Sequence, residues 1–219
     1  ESGGKGREPI GGRRAMKSMG CLAVVGVLVL VGIVAALSAT GVYNGLVEAQ
    51  QQVEAQWAQV ESVYQRRADL IPNLVATVKG ASSFEKDTLT QVVEARARVG
   101  SLQVTPQLLN DPQAFQKFQQ AQDGLSSALS RLLVVSEQYP DLKSVASYRD
   151  MMVELEGTEN RIAVERRSFN EVAQQYNTRI ARVPAAWFIG ILHWPFKSKA
   201  YFTAQPGAAT APKVDFGGR

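Results

Sequence analysis

The most pronounced pattern along the chain is an apolar run near its N-terminus, from residue 21 to residue 39. No charged residue lies between Gly20 and Glu48. At ~1.5 Å rise per residue, a helix of this length just spans a hydrocarbon core of ~30 Å, which favours a transmembrane helix over residues 21–42. A cleaved signal peptide is the alternative, with a weak cleavage candidate at residues 38–40. The length of the run favours the retained anchor.

Lysine and arginine flank only one side of this run. Five of them lie in the basic tail formed by residues 1–20, and none occurs between the run and Arg66. Flanking cations stay on the cytoplasmic side of a membrane. The pattern therefore predicts a cytoplasmic N-terminus and a soluble part outside the cytoplasm.

Beyond the anchor, apolar residues recur at alternating steps of three and four, the a/d pattern of helices packed along one another. The predicted helices cover residues 43–78, 84–100, 112–138 and 147–183. Residues 82–85 form a capping box for the second helix, and Asp111 with Pro112 forms a cap for the third. Pro72 removes a backbone donor and is expected to kink or break the first helix. No segment alternates like a β-strand.

The predicted fold is all-α: one N-terminal transmembrane helix, an antiparallel up-and-down bundle of four helices over residues 43–183, and an irregular C-terminal tail over residues 184–219. The tail opens with an aromatic stretch that contains Trp187 and Trp194. These tryptophans either lie at the membrane interface, where such rings are favoured, or pack on the bundle. Val214 and Phe216 near its end could dock as a short apolar hook.

The a/d pattern of the first helix is interrupted by a charge, Arg67. Glu159 and Arg166 interrupt the fourth helix in the same way. Arg67 lies 24 residues after Tyr43, and Glu159 lies 24 residues before Val183, so in antiparallel neighbours both charges reach the same height of about 36 Å. We therefore predict that Arg67 pairs with Glu159.

Further charges bear on the same prediction. Asp69 or Arg166 is expected near the pair. The alternative is that Arg67 extends its charge to the rim of the bundle and buries only its stem.

Helix lengths predict a surface for self-assembly. The first and fourth helices each span roughly 54 Å at ~1.5 Å rise, whereas the second spans only about 25 Å and cannot reach back towards the membrane. An apolar stripe that includes Trp57 and Tyr176 would then stay exposed, which is rare on soluble surfaces. Either other copies cover it, making a homo-oligomer, or the tail from residue 187 to residue 202 folds back over it.

Composition argues against several classes of protein. The net charge is +4, and no basic stripe with interleaved aromatics occurs, which argues against nucleic-acid binding. One cysteine and one histidine argue against a disulfide or a Cys/His metal site. No serine has a positioned histidine base, and no phosphate-binding loop is present. We therefore predict no catalytic residues, no metal and no cofactor.

Several longer motifs resemble the LemA family from Tyr43 to Phe216. They are RRADLIPNLV (66–75), VKG (78–80), EAR (94–96), YPDLK (139–143), ELEGTENRIA (154–163), RRSFN (166–170) and PKVDF (212–216). The resemblance implies a bacterial protein with one membrane helix, an α-helical bundle and no established enzymatic activity. One member of the family acts in magnetosome biogenesis, which points to membrane organisation.

Polar residues within these motifs are candidates for contact with a partner. They are Arg66, Asn73, Asn160, Asn170 and Asn177. Asn170 and Asn177 lie seven residues apart and share a helix face, where they either satisfy loop backbone or face a partner.

We expect a non-enzymatic, membrane-anchored scaffold or assembly subunit of the bacterial inner membrane. It would act through protein–protein contacts and self-assembly. The alternative is an envelope sensor or signalling adaptor that binds a protein or a small ligand.

Overall fold

The computed structural model describes residues 12–80, 85–102 and 104–203, with residues 12–23 and 106 described by their backbone alone. These ranges are mainly helical and contain no strand, which confirms the all-α prediction. The helices are α1 (Gly12–Gly80), α2 (Lys86–Gly100), a 3-10 helix (Pro106–Asn110), α3 (Pro112–Ser136), α4 (Pro140–Ser144), α5 (Ala146–Ala181) and α6 (Ala185–Leu192). The predicted capping box and apolar hook lie mostly or wholly outside the described residues.

The anchor and the first bundle helix are one element. Helix α1 has 69 residues and is roughly 100 Å long at ~1.5 Å rise per residue. Its large apolar side chains are exposed from Val24 to Leu37, whereas most of those from Leu46 onwards lie in the bundle core. In the described part of the chain, it is the one helix long and apolar enough to cross a membrane. No break separates the span from the bundle.

Pro72 lies inside α1, and the helix continues to Gly80. Of the expected kink or break, the break does not occur. Proline has no N–H, so the carbonyl of Ala68, four residues earlier, loses its usual helical donor. The Nε of Arg96 on α2 donates to that carbonyl at 3.1 Å. A side chain from the neighbouring helix thus replaces the missing backbone donor.

Helices α1 and α5 are antiparallel along the length of the bundle. Arg179 near the end of α5 reaches the carbonyl of Gly45 at 3.5 Å, and Glu154 near its start pairs with Arg66 at 2.7 Å. Helices α2 and α3 pack against each other, and the short α4 packs on α5. Asp111 caps α3, because its Oδ1 accepts from the backbone of Gln113 and Ala114.

The core consists of two apolar clusters stacked along α1. The anchor-side cluster includes Val53, Trp57 and Val60 on α1, Phe115 and Phe118 on α3, Phe169 and Tyr176 on α5, and Phe196 and Phe202 in the tail. The distal cluster includes Ile71, Leu74 and Val78 on α1, Leu89 and Val92 on α2, Leu125, Leu129 and Leu132 on α3, and Leu142, Tyr148 and Leu155.

The described part of the tail, residues 184–203, contains a short helix that the prediction of an irregular tail did not include. Helix α6 occupies residues 185–192, and residues 194–203 run without regular structure along the bundle, where Phe196 and Phe202 are buried. The tail therefore supplies part of the anchor-side core.

The contact of Arg96 with Ala68 gives a first prediction. Replacing Arg96 with Met should lower the free energy of unfolding by about 1 kcal/mol, the usual net contribution of a hydrogen bond, because the Ala68 carbonyl loses its donor. Chemical denaturation in mild detergent, followed by circular dichroism, measures the change.

The Pro72→Ala background supplies the control for this prediction. Alanine restores the backbone donor to the Ala68 carbonyl, so the Arg96→Met change should have a smaller effect there. Equal losses in both backgrounds would contradict the explanation.

Candidate functional site

A polar layer separates the two apolar clusters, with Arg67 at its centre. The Arg67 side chain is fully buried. Its Nη1 donates to Glu159 Oε1 and to Ser126 Oγ, both at 2.6 Å. Its Nη2 donates to the side-chain oxygen of Gln122 and, at 3.4 Å, to the Gln122 carbonyl. Ser126 in turn donates to Glu159 Oε2 at 3.1 Å.

This layer ties three helices together at one height. Arg67 comes from α1, Gln122 and Ser126 come from α3, and Glu159 comes from α5. The structure therefore brings Arg67 and Glu159 into the predicted contact. Because Arg67 is fully buried, its charge does not extend to the solvent rim. The Glu159 side chain is 34% exposed, so water screens part of the negative charge.

A second arginine, Arg166, lies about two turns closer to the anchor than Glu159 on α5. Arg166 donates through Nε to the Tyr64 hydroxyl at 2.5 Å and through Nη2 to Asp123 Oδ1 at 2.7 Å. The guanidinium carbons of Arg67 and Arg166 lie 5.2 and 5.6 Å from the centre of the Tyr64 ring. Burial raises the pKa of the Tyr64 hydroxyl, and the positive charge of Arg166 offsets part of that rise.

Asp69 lies outside this layer. It is exposed and accepts a hydrogen bond from Gln65 at 2.8 Å. Sequence reasoning missed Ser126 and the role of Gln122 in this layer, and it missed Asp123 beside Arg166. Gln122 lies between Phe118 and Leu125 in the a/d pattern of α3, the apolar seam of the helix. A polar residue in an apolar seam was the available signal of a buried polar contact.

Two of the three motif asparagines of α5, Asn170 and Asn177, bond the backbone of the tail. Asn170 donates to the Phe202 carbonyl at 2.8 Å and accepts from the Phe202 N–H at 2.9 Å. Asn177 makes the same pair of bonds with Lys199, both at 2.8 Å. The two side chains are engaged within the chain, so they are not free to face a partner.

Gln119 and the buried Lys199 also hold the tail. Together with Asn170 and Asn177 they form what we call the clamp. Gln119 on α3 bonds the carbonyl and the N–H of Thr203 at 2.7 and 3.1 Å. Lys199 is 6% exposed and donates to Asn110 Oδ1 at 2.8 Å, with its Nζ 5.6 Å from the centre of the Tyr176 ring. Burial lowers the pKa of the Lys199 ammonium.

Trp57 and Tyr176 do not form an exposed stripe, which corrects the predicted self-assembly surface. The Trp57 ring contacts Phe115, Phe169 and Phe202 at 5.8, 5.3 and 6.2 Å between ring centres. Tyr176 is fully buried, and its burial raises the pKa of the hydroxyl to about 12. The start of α3 and the folded-back tail cover these residues within one chain.

The other predicted site residues lie on the surface or at its edge. Arg66 is exposed and pairs with Glu154, and Asn73 and Asn160 are also exposed. The remaining candidates are the two tail tryptophans. Trp187 is exposed, and Trp194 packs edge-on against the Tyr43 ring at 5.0 Å.

The described residues also form an open cleft of about 640 Å³ between α1, α2 and α3. Its wall includes Glu61, Tyr64, Arg96, Phe118 and Gln122. Within the described ranges, no cluster of three or more His, Cys, Asp or Glu side chains is placed to hold a metal ion.

Comparison with known proteins gives the family. The model of the LemA family matches residues 56–216, which is most of the chain. The chain belongs to the LemA family. The match includes the arginine motif of α1, the two asparagines of the clamp and the tail that they hold.

Two curated relatives are named magnetosome proteins. Magnetosome protein MamQ 2 of Paramagnetospirillum magneticum is 33% identical over 205 residues, 86% of this chain and 74% of its own length. Magnetosome protein MamQ of Magnetospirillum gryphiswaldense is 30% identical over 184 residues, 77% of this chain and 67% of its own length. Protein LemA of Metamycoplasma hominis is 24% identical over 137 residues, 63% of this chain and 58% of its own length.

The contact of Arg67 with Glu159 gives a second prediction. Arg67→Met should lower the free energy of unfolding by roughly 3 kcal/mol, the lower end of the range for one lost partner of a buried pair. The lower end applies because Glu159 is 34% exposed. Arg67→Met combined with Glu159→Leu should lose much less than the sum of the single changes, as measured by denaturant titration.

Arg66→Met is the matched control for this test. Arg66 is the neighbouring arginine, and it pairs with a glutamate on the surface, with side chains 65% and 42% exposed. Surface pairs contribute only about 0–1 kcal/mol, so this change should have little effect. Strict additivity of Arg67→Met and Glu159→Leu would contradict the buried pair.

The clamp gives a third prediction. Asn170→Ala removes both bonds to Phe202, and the buried backbone groups left unpaired should lower stability by about 1–3 kcal/mol. Amide hydrogen exchange, read by mass spectrometry, should become faster over residues 199–203. Asn160→Ala, on the exposed face of the same helix, should leave that exchange unchanged. Unchanged protection in Asn170→Ala would show that the aromatic contacts alone hold the tail.

Proposed function

We propose that this LemA family protein is a non-enzymatic scaffold or assembly subunit of the bacterial cell envelope, anchored in the inner membrane by α1. The observation that carries the proposal is the length of α1, which contains the exposed apolar span and the buried seam in one helix of 69 residues. Since no linker separates the two parts, the bundle is held at a defined height from the membrane. That property suits a protein that positions others.

Orientation and relatives support the same role. The cations before the span favour a cytoplasmic N-terminus and a bundle outside the cytoplasm. Relatives at 30–33% identity are named magnetosome proteins, and from them we infer a role in membrane organisation.

The outward face of α5 is the surface that we propose for a protein partner. Val153, Gly157, Asn160 and Val164 follow one another at steps of four, three and four, so they form one stripe on the helix. All four are exposed, with Val153 at 71% and Val164 at 60%. Gly157 leaves the middle of the stripe flat, and a second helix could approach it closely. The proposed partner is another helical protein of the same membrane.

Self-association, also expected from the sequence, needs a different surface from Trp57 and Tyr176, because both are buried. The same stripe on a second copy is the surface that we propose for it. The alternative function, a ligand sensor, has the 640 Å³ cleft beside Arg96 in its favour.

Crosslinking on intact cells tests the orientation and the surface together. A membrane-impermeant crosslinker is applied, and the full chain is purified in mild detergent. The native chain should give specific protein crosslinks, and Gly157→Arg should lose them because the long side chain blocks the stripe. Gly124→Arg is the matched control, since both glycines are helical, exposed and have open space where a side chain would begin.

Each outcome of this experiment bears on a separate claim. Crosslinks that form only after lysis would contradict the orientation, and crosslinks that persist in Gly157→Arg would contradict the surface. Crosslinks between copies identify self-association. A small molecule retained by the purified chain, with no protein attached, would favour the sensor instead.

A further inference from the structure

Helix α6 has two apolar faces, and the bundle covers only one of them. Ala185 is buried, and Ile189 packs against the anchor-side cluster. On the opposite side Trp187 and Ile191, one turn apart, are 63% and 74% exposed, and Leu192, the last residue of the helix, is 51% exposed. Large apolar side chains grouped in this way mark a surface that normally contacts something other than water.

The position of α6 is fixed relative to the anchor. The Trp194 ring, just after α6, lies edge-on to the Tyr43 ring at 5.0 Å, and the Phe196 ring lies 5.4 Å from the same ring. Tyr43 directly follows the predicted span, on the same uninterrupted helix. The exposed face of α6 therefore lies at the level where the span ends, which is the interfacial region of a bilayer.

Charge at this level is mainly positive. Arg179 and Arg182 at the end of α5 and Lys197 after α6 are exposed, and Glu48 on α1 is the exposed acidic side chain nearest in sequence to the end of the span. Cations beside an apolar face favour the headgroup region, where the rings and aliphatic groups enter the acyl boundary and the cations meet anionic phosphates. Tryptophan is enriched at this depth because its ring is amphipathic.

We propose that α6 is an interfacial helix that lies on the bilayer beside α1, with Trp187 and Ile191 in the headgroup–acyl boundary. The bundle then has two contacts with the membrane, the span and α6, rather than one. Two separated contacts restrict the tilt of the bundle, which a single helix would leave free. This inference rests on the proposed anchor and adds the lipid surface as the partner of the tail.

Depth-dependent quenching tests the proposal in the full chain. The native cysteine is removed by Cys21→Ser, a single cysteine is introduced by Ile191→Cys, and the thiol is labelled with bimane. The protein is reconstituted in vesicles of phosphatidylethanolamine and phosphatidylglycerol that carry a nitroxide lipid with the spin label close to the headgroup. The matched control is Val134→Cys, an equally apolar site that is 68% exposed at the far end of α3.

The nitroxide lipid should quench the label at position 191 several-fold more than the label at position 134, and aqueous iodide should show the reverse order. Iodide quenching at position 191 as strong as at position 134, with no lipid quenching, would overturn the proposal. Protection from both quenchers would also overturn it and would assign the face to a second copy of the chain. Flotation of the same sample tests the anchor separately, since a chain that fails to float with the vesicles contradicts the proposed function itself.

Discussion

A guanidinium taken out of water needs both a counter-charge and hydrogen-bond acceptors, and Arg67 finds them on two other helices. Glu159 supplies the charge from α5, while Gln122 and Ser126 supply acceptors from α3. These partners lie within reach only when the three helices stand in one register. A slip of one helix by a single turn would leave a buried charge unpaired, which is far less favourable than a slipped apolar contact. The polar layer thus selects one alignment of the bundle.

That alignment decides what the rest of the chain can do. With α5 in register on α1, Asn170 and Asn177 face the path of the tail and bond its backbone at Phe202 and Lys199. The clamped tail then brings Phe202 onto Trp57 and closes the anchor-side core. The tail therefore completes the monomer, and it also places α6 beside the end of the membrane span.

A side chain from a neighbouring helix also satisfies a backbone group of α1, the carbonyl of Ala68. Pro72 deprives the Ala68 carbonyl of its donor, and Arg96 from α2 supplies another at 3.1 Å. A residue that would end an isolated helix is tolerated because a neighbour provides the missing hydrogen bond. The helix can therefore continue from the membrane span into the distal cluster without a joint.

The sequence by itself determined the helical class, the anchor and the existence of a charge at a seam position, because periodicity and side-chain chemistry are local properties. It also predicted the pairing of Arg67 with Glu159. Each lies 24 residues from the membrane-side end of its predicted helix, so the two charges reach the same height in antiparallel neighbours. Tertiary structure alone decided the course of the tail, the burial of Trp57 and Tyr176, and the use of Asn170 and Asn177. A tail without strong periodicity carries no local signal of where it lies. Its position depends on amide side chains and aromatic rings that come together only after α1, α3 and α5 have packed.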